Sequence, residues 1–208
     1  MQQQIMQDLE RYLNTLQDAE RIGALNAFRQ LLHRYSPFNS HPVDCVLWVK
    51  QECVSPNDYN PNSLAPPEKR LLLTSLETDG FTQPIVVLRH DEARYTIVDG
   101  FHRHELGKSK ALLKKGLNGY LPVTCLLSHS ASRDTLMAAT IRHNRARGRH
   151  QIPAMSEIVH ELANLGWPDD KISKELGMDA DEVLRLKQIN GLAELFGDRQ
   201  FSQAWTVK

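Results

Sequence analysis

The stretch YTIVDGFHRHELGK, residues 95–108, changes character in its middle: Tyr95, Ile97 and Val98 suit a buried strand, and a helical run begins directly after Gly100. At such a junction the first helical N–H groups are unpaired and the dipole end is positive, so the turn can hold a phosphate. Gly100 allows a ligand to approach the backbone, and Phe101, His102 and Arg103 form the first helical turn. Arginine grips a phosphate through two parallel hydrogen bonds. Asp99, at the strand end, is placed to hold a metal ion or to orient a hydroxyl.

PIVVLR (84–89) and RYTIVDG (94–100) read as a hairpin joined by the polar turn HDEA. FHRHELGKSKALLKKG reads as one helix ending at Gly116, and LPVTCLLS (121–128) as a further strand. Upstream, PEKRLLLTSLETDG (67–80) is a helix with Pro at its start and Gly at its end, and SPNDYNPNSLAPP (55–67) is a loop. DCVLWVKQECV (44–54) suits a strand, and SPFNSHP (36–42) interrupts the pattern before it. Between Ile5 and Leu32 apolar residues recur at helical spacing, which predicts two short amphipathic helices broken near Gly23 or just before it. After Ser128 the strand signal ends, and SRDTLMAATIRHNRARG, PAMSEIVHELANLG, DDKISKELG and DADEVLRLKQI all read as helices. The expected architecture is α+β: a small mixed sheet with helices, then an all-helical C-terminal part. The expected divisions are a helical extension at 1–40, a core at 41–130 and a helical domain at 131–208.

The chain of 208 residues carries 25 Lys plus Arg and 25 Asp plus Glu, a zero that conceals strong segregation. Residues 1–100 hold 9 basic and 13 acidic side chains, residues 101–150 hold 10 and 2, and residues 151–208 hold 6 and 10. The middle block, net +8, focuses a positive field that favours a discrete phosphate-bearing ligand over extended coating of nucleic acid. No run approaches the roughly 18 apolar residues of a bilayer span, and MQQQIMQDLERYL lacks the pattern of a signal peptide, so a cytoplasmic protein away from membranes is expected. Cys45, Cys53 and Cys125 are odd in number and far apart, each in a strand-like run, which predicts buried thiols without a disulfide frame or zinc site. The spacing of His102, His104, His143 and His150 likewise fits no zinc motif.

Two further features lie downstream. In TIRHNRARGRHQ (140–151), Arg142, Arg145, Arg147 and Arg149 crowd around Asn144 without an acidic neighbour in sequence, an arrangement that calls for an anion. Gly148 is the expected helix stop. DDKISKELGMDADEVLRLKQ (169–188) fits a helix-turn-helix: Ile172 and Leu176 face inward, Ser173 is small where helices cross, Gly177 turns the chain, and Val183 and Leu186 anchor the second helix. Arg185, Lys187 and Gln188 are its candidate DNA contacts, although the acidic surroundings oppose phosphate binding. Trp167, Phe196 and Trp205 read as core or interface residues.

SPNDYNPN, SLETDGFTQPIVV and YTIVDGFHRHELGK, in this order and spacing, resemble the N-terminal domain of the ParB/sulfiredoxin superfamily over roughly Val43 to Ser128. The resemblance implies that the turn from Gly100 to Arg103 binds the phosphates of a nucleoside di- or triphosphate, ATP, ADP or CTP, often with Mg2+ held at Asp99. Asn144 and Arg147 match the Asn and Arg of a motif that closes over the triphosphate in partition proteins, with Arg145 beside them. His143 stands in place of that motif's Glu, which weakens the case for hydrolysis. Sulfiredoxins carry a catalytic Cys where this chain has Phe101, which excludes thiol-dependent sulfinic acid reduction. Free serine kinases of the superfamily share the pattern of Asp99, Gly100, His102 and Arg103. An enzyme on this plan, a small-molecule kinase, NTPase or weak nuclease, would use Asp99 and Asp58 as catalytic residues. From NRARGRHQ to the C-terminal helices the chain is similar to the IbrB (immunoglobulin-binding regulator B) branch of prophages and mobile elements. That implies a DNA-binding, homodimeric transcriptional co-activator acting with a protein resembling phosphoadenosine phosphosulfate reductases.

Overall fold

The structure is a computed structural model that describes residues 1–57, 64–91, 93–126, 133–145 and 152–196. Among them two compact units form, one from residues 1–57 and 64–126 and the other from residues 133–145 and 152–196.

The first unit begins with two helices, α1 (Gln2–Asn14) and α2 (Asp18–Tyr35). The break falls at residues 15–17, and Gly23 lies inside α2, contrary to the expectation from sequence. Local hydrogen bonding explains the difference. Arg21 reaches back to the carbonyls of Leu13 (3.1 Å) and Leu16 (2.7 Å), closing α1, while the Gln17 N–H donates to the Glu20 carboxylate (3.2 Å) and opens α2. An exposed glycine in a helix interior costs only about 1 kcal/mol, less than these two ends supply together. Tyr12 and Phe28 meet edge to face with centroids 6.3 Å apart.

Strand β1 (Val46–Lys50) follows, then a 3-10 turn at Gln51–Cys53 and a short β2 (Val54–Ser55), so DCVLWVKQECV is two strands and not one. Helix α3 (Pro66–Thr78) starts with Pro66 in its first position, and its Glu68 carboxylate accepts from the Ala65 N–H (3.1 Å). The hairpin of β3 (Ile85–Arg89) and β4 (Tyr95–Asp99) forms as expected and leads into α4 (Phe101–Gly107). The following run does not continue as one helix. Ser109 caps a new turn, α5 (Lys110–Leu112), by accepting from the Leu112 N–H (3.4 Å), and a wide π-type turn over Leu113–Leu117 leads to β5 (Tyr120–Cys125). The five strands make one mixed sheet in the order β1-β5-β3-β4-β2, with β3 parallel to β5 and β2 parallel to β4. Ile85, Val87, Ile97, Leu121 and Val123 form its fully buried centre.

Asn26 protects the β1 edge. Its side-chain amide donates to the Trp48 carbonyl (2.7 Å) and accepts from the Trp48 N–H (3.0 Å), which is how a neighbouring strand would pair. Trp48 stands opposite Pro122 on β5, a residue with no N–H to offer.

The second unit is helical, as expected: α6 (Arg133–Arg145), α7 (Ile152–Asn164), α8 (Asp169–Leu176) and α9 (Ala180–Phe196). Its core draws Met137 and Ile141 from α6, Val159 and Leu162 from α7, Ile172 from α8 and Val183 from α9, all fully buried. Trp167 belongs to this core, where its indole N–H donates to Asp134 (2.7 Å); the side chain of Phe196, and Trp205, lie outside the described residues. Among the described residues no helix is long and apolar enough to cross a membrane.

Candidate functional site

The turn after β4 is built by register and by one backbone angle. A bulge between Val86 and Val87 brings Asp99 opposite Val86, and Gly100 adopts φ 94°, ψ 23°, the left-handed region that swings the chain into α4. One helical turn on, Arg103 lies 3.5 Å from the Asp99 carboxylate and donates to Gln83 Oε1 in the segment before β3. Both charges are largely withdrawn from solvent, Asp99 at 6% and Arg103 at 14% exposed. A Cβ on Gly100 would stand 3.0 Å from Arg103 Nη2 and 3.3 Å from the Ile85 Cα. In this structure the space that Gly100 leaves open is therefore taken by the Arg103 guanidinium, so a ligand would reach the guanidinium before it reached the backbone.

Phe101 and His102 stack edge to face, with centroids 5.5 Å apart. Burial, reinforced by the Lys69 ammonium from α3, holds the His102 imidazole below its usual pKa and therefore neutral at pH 7. Its Nε2 is shielded from water and meets no hydrogen-bond partner among the described residues, an unsatisfied group of the kind that ligand sites carry. His104 has a different role. It is completely buried, its Nε2 is 3.1 Å from the Val54 carbonyl, and burial lowers its pKa, so it pins α4 to β2.

The structure thus gathers Asp99, Gly100, Phe101, His102 and Arg103 and adds Gln83 and Lys69, which the sequence reading missed. Gln83 stands in FTQPIVV, but nothing local joins it to a residue twenty positions away. Asn57, also missed, donates from Nδ2 to the Ile97 carbonyl (2.9 Å) and so is tied to β4. Asp58 and Arg147 lie outside the described residues, as do the side chains of Asn144 and Arg145 on the last turn of α6. Arg142 is ion-paired with Glu175 of α8, so this arginine has an acidic neighbour in space that it lacks in sequence. Among the described residues no group of three or more His, Cys, Asp and Glu could hold a metal ion.

In the helix-turn-helix, Gly177 ends α8 at φ 64°, and the Ser173 hydroxyl donates to the Met178 carbonyl across the turn. The Glu182 N–H donates to Asp179 Oδ1 (2.7 Å), capping α9. Ile172, Leu176, Val183 and Leu186 are buried as expected. Arg185 and Gln188 are exposed, with Arg185 Nε donating to the Asp181 carbonyl (3.2 Å), whereas Lys187 is ion-paired with Asp169 of α8. Asp181, Leu184 and Ile189 share the exposed surface of α9 with them.

Comparison with known proteins agrees with this division. The model of the ParB N-terminal domain matches residues 40–115, and that of the IbrB-like C-terminal HTH domain matches residues 150–198. The chain is 64% identical over 208 residues to the uncharacterized protein YbdM of Escherichia coli (strain K12), covering 100% of this chain and 98% of that one. Among solved structures it is similar to C-terminally truncated chromosome-partitioning protein ParB from Caulobacter crescentus. The form complexed with CTP-gamma-S is 14% identical, covering 73% of this chain and 83% of that one at a TM-score of 0.38. The form complexed with the centromeric parS site is 16% identical, covering 74% and 79% at 0.45. A Pnob8-like ParB-N domain is 16% identical, covering 74% and 62% at 0.42.

Proposed function

This chain belongs to the ParB-like family, its ParB N-terminal domain followed by an IbrB-like C-terminal helix-turn-helix domain, and from that membership we propose that it is a nucleotide-responsive, DNA-binding transcriptional regulator. The observation that carries the nucleotide half is the turn from Asp99 to Arg103, where a shielded guanidinium lies over Gly100 and His102, the residue before Arg103, holds an imidazole nitrogen that meets no hydrogen-bond partner among the described residues. The phosphates of ATP, ADP or CTP would compete with Asp99 and Gln83 for Arg103, while His102 Nε2 and the Gly100–Phe101 backbone supply further polar contacts. Asn144, Arg145 and Arg147 would supply further phosphate contacts. Mg2+, held at Asp99, would accompany the phosphates.

Arg185 and Gln188 would meet DNA, with Lys187 joining only on release from Asp169. Nucleotide binding would then shift the population of a state competent for DNA. Action as a homodimeric co-activator with a reductase-like partner, on a prophage or mobile element in the cytoplasm, completes the proposal. The alternative is an enzyme using Asp99, with or without Asp58; the pairing of Asp99 with Arg103 favours the binding reading.

Calorimetric titration with CTP, ATP and ADP, with and without Mg2+, tests the site. At least one nucleotide is expected to bind, and Arg103→Ala is expected to weaken it tenfold or more, the loss of about 1.4 kcal/mol. Wild-type affinity in both Arg103→Ala and Arg147→Ala would overturn the assignment.

A further inference from the structure

The ladder between β1 and β5 begins with Val46 opposite Thr124 and ends with Lys50 opposite Tyr120. One step before its first pair, the same register sets Cys45 opposite Cys125. Strand alternation puts Cys45 on the face of Leu47 and Val49, and Cys125 on the face of Leu121 and Val123; both cysteines pack against that one core cluster. The segment before Cys45 is tied to β5, since the Thr124 hydroxyl lies within hydrogen-bonding reach of the Pro42 carbonyl and 3.3 Å from that of Cys45. Directly opposed residues of an antiparallel pair have Cα atoms about 4.5–5.5 Å apart. A disulfide takes Cα separations of about 4.4–6.8 Å. Both residues are free thiols and neither is sealed from solvent.

We propose that Cys45 and Cys125 are an oxidisable dithiol, which a low-molecular-weight disulfide such as oxidised glutathione closes into an intramolecular bond joining β1 to β5. One protein thiolate attacks the glutathione disulfide, forming a mixed disulfide and expelling one glutathione thiolate. The second protein thiolate attacks the protein sulfur of that mixed disulfide and expels the other. Two protein thiols are oxidised and one external disulfide is reduced to two thiols, so electrons balance and the two protons pass to solvent or to the departing thiolates. Burial pushes both thiols up; Asp44 adds to this at Cys45, while Arg29 at Cys45 and Arg89 at Cys125 oppose it. Because the thiolate is the nucleophile, closure accelerates as pH rises. Cys53 lies before β2, at the opposite edge of the strand order from β1, and takes no part.

The test uses the full chain incubated with oxidised glutathione over a pH series, read by intact mass and by peptide mapping without reduction. The expected product has lost two hydrogens, retains no glutathione on Cys45 or Cys125, and yields a linked peptide containing both residues. Cys53→Ser is expected to close at the wild-type rate, whereas Cys45→Ser and Cys125→Ser should each stop at a glutathione adduct on the surviving partner. No loss of hydrogens in the wild type, a link through Cys53, or a bond between two chains would each overturn the proposal.

Discussion

Replacing Arg103 with alanine removes one partner of a carboxylate that is only 6% exposed, so the buried Asp99 charge loses its ion pair. Breaking such a pair is expected to cost about 3 kcal/mol in chemical denaturation, with Arg103→Lys retaining part of it. The double variant Arg103→Ala with Asp99→Asn should recover stability without recovering nucleotide affinity, which separates the two roles of the arginine. Gly100→Ala meets a different obstacle. At φ 94° a Cβ is strained, and the Ile85 backbone 3.3 Å away cannot yield as a side chain could. A loss of about 1–3 kcal/mol is expected, with Arg103 displaced. His104 adds a pH dependence. Burial lowers its pKa from the usual 6.5, so the unfolded chain takes up this proton first. Its contribution is intact above about pH 6.5 and lost as pH falls below that value, and His102 acts in the same direction. The urea midpoint is expected to drop between about pH 7.5 and 5.5 and to drop less in His104→Gln.

At the scale of an element, Asn26 decides how α2 meets the sheet. It satisfies both backbone groups of Trp48 on an edge strand, so Asn26→Ala exposes the pair and loosens the helix. The expected cost is about 1–2 kcal/mol, with faster hydrogen exchange at the Trp48 amide and little change at β3. His33 and Ser36 hold Asp44 nearby, so the helix keeps a second tether and should not detach entirely. In the helix-turn-helix, α9 presents Asp181 and Glu182 in its first turn and keeps Lys187 paired with Asp169, which leaves Arg185 as the exposed cation among its candidate contacts. A DNA complex made by α9 alone should therefore show a shallow salt dependence, with log K falling by about two or fewer units per unit of log salt. A steep slope in a titration would point to the arginines of residues 142–149 as the main phosphate contacts.

For the whole molecule, two compact units with separate cores predict separable unfolding. Ile172→Ala, at a completely buried position, should cost the helical unit about 2–4 kcal/mol while leaving the protection of β3 and β4 amides unchanged, which hydrogen exchange by mass spectrometry can read. The same division separates what was legible in the residues from what was not. The hairpin, the Asp99–Arg103 turn, the helix-turn-helix and the segregation of charge rest on local patterns: alternation, helical period, a glycine between strand and helix, a cap. Sequence determined these because each depends on neighbours within a few positions. The two helices expected before Leu32 form, but their break, expected near Gly23 or just before it, comes earlier, and the single helix expected over 101–116 is divided, because side chains override propensity through Arg21 and Glu20 in one case and Ser109 in the other. Only the tertiary structure decided that Arg103 meets Gln83, that Arg142 meets Glu175, that Asn26 covers Trp48 and that Val46 pairs with Thr124. Each of these contacts joins residues about twenty to eighty positions apart, and such pairings follow from strand register and helix packing, which no periodicity in a single segment encodes.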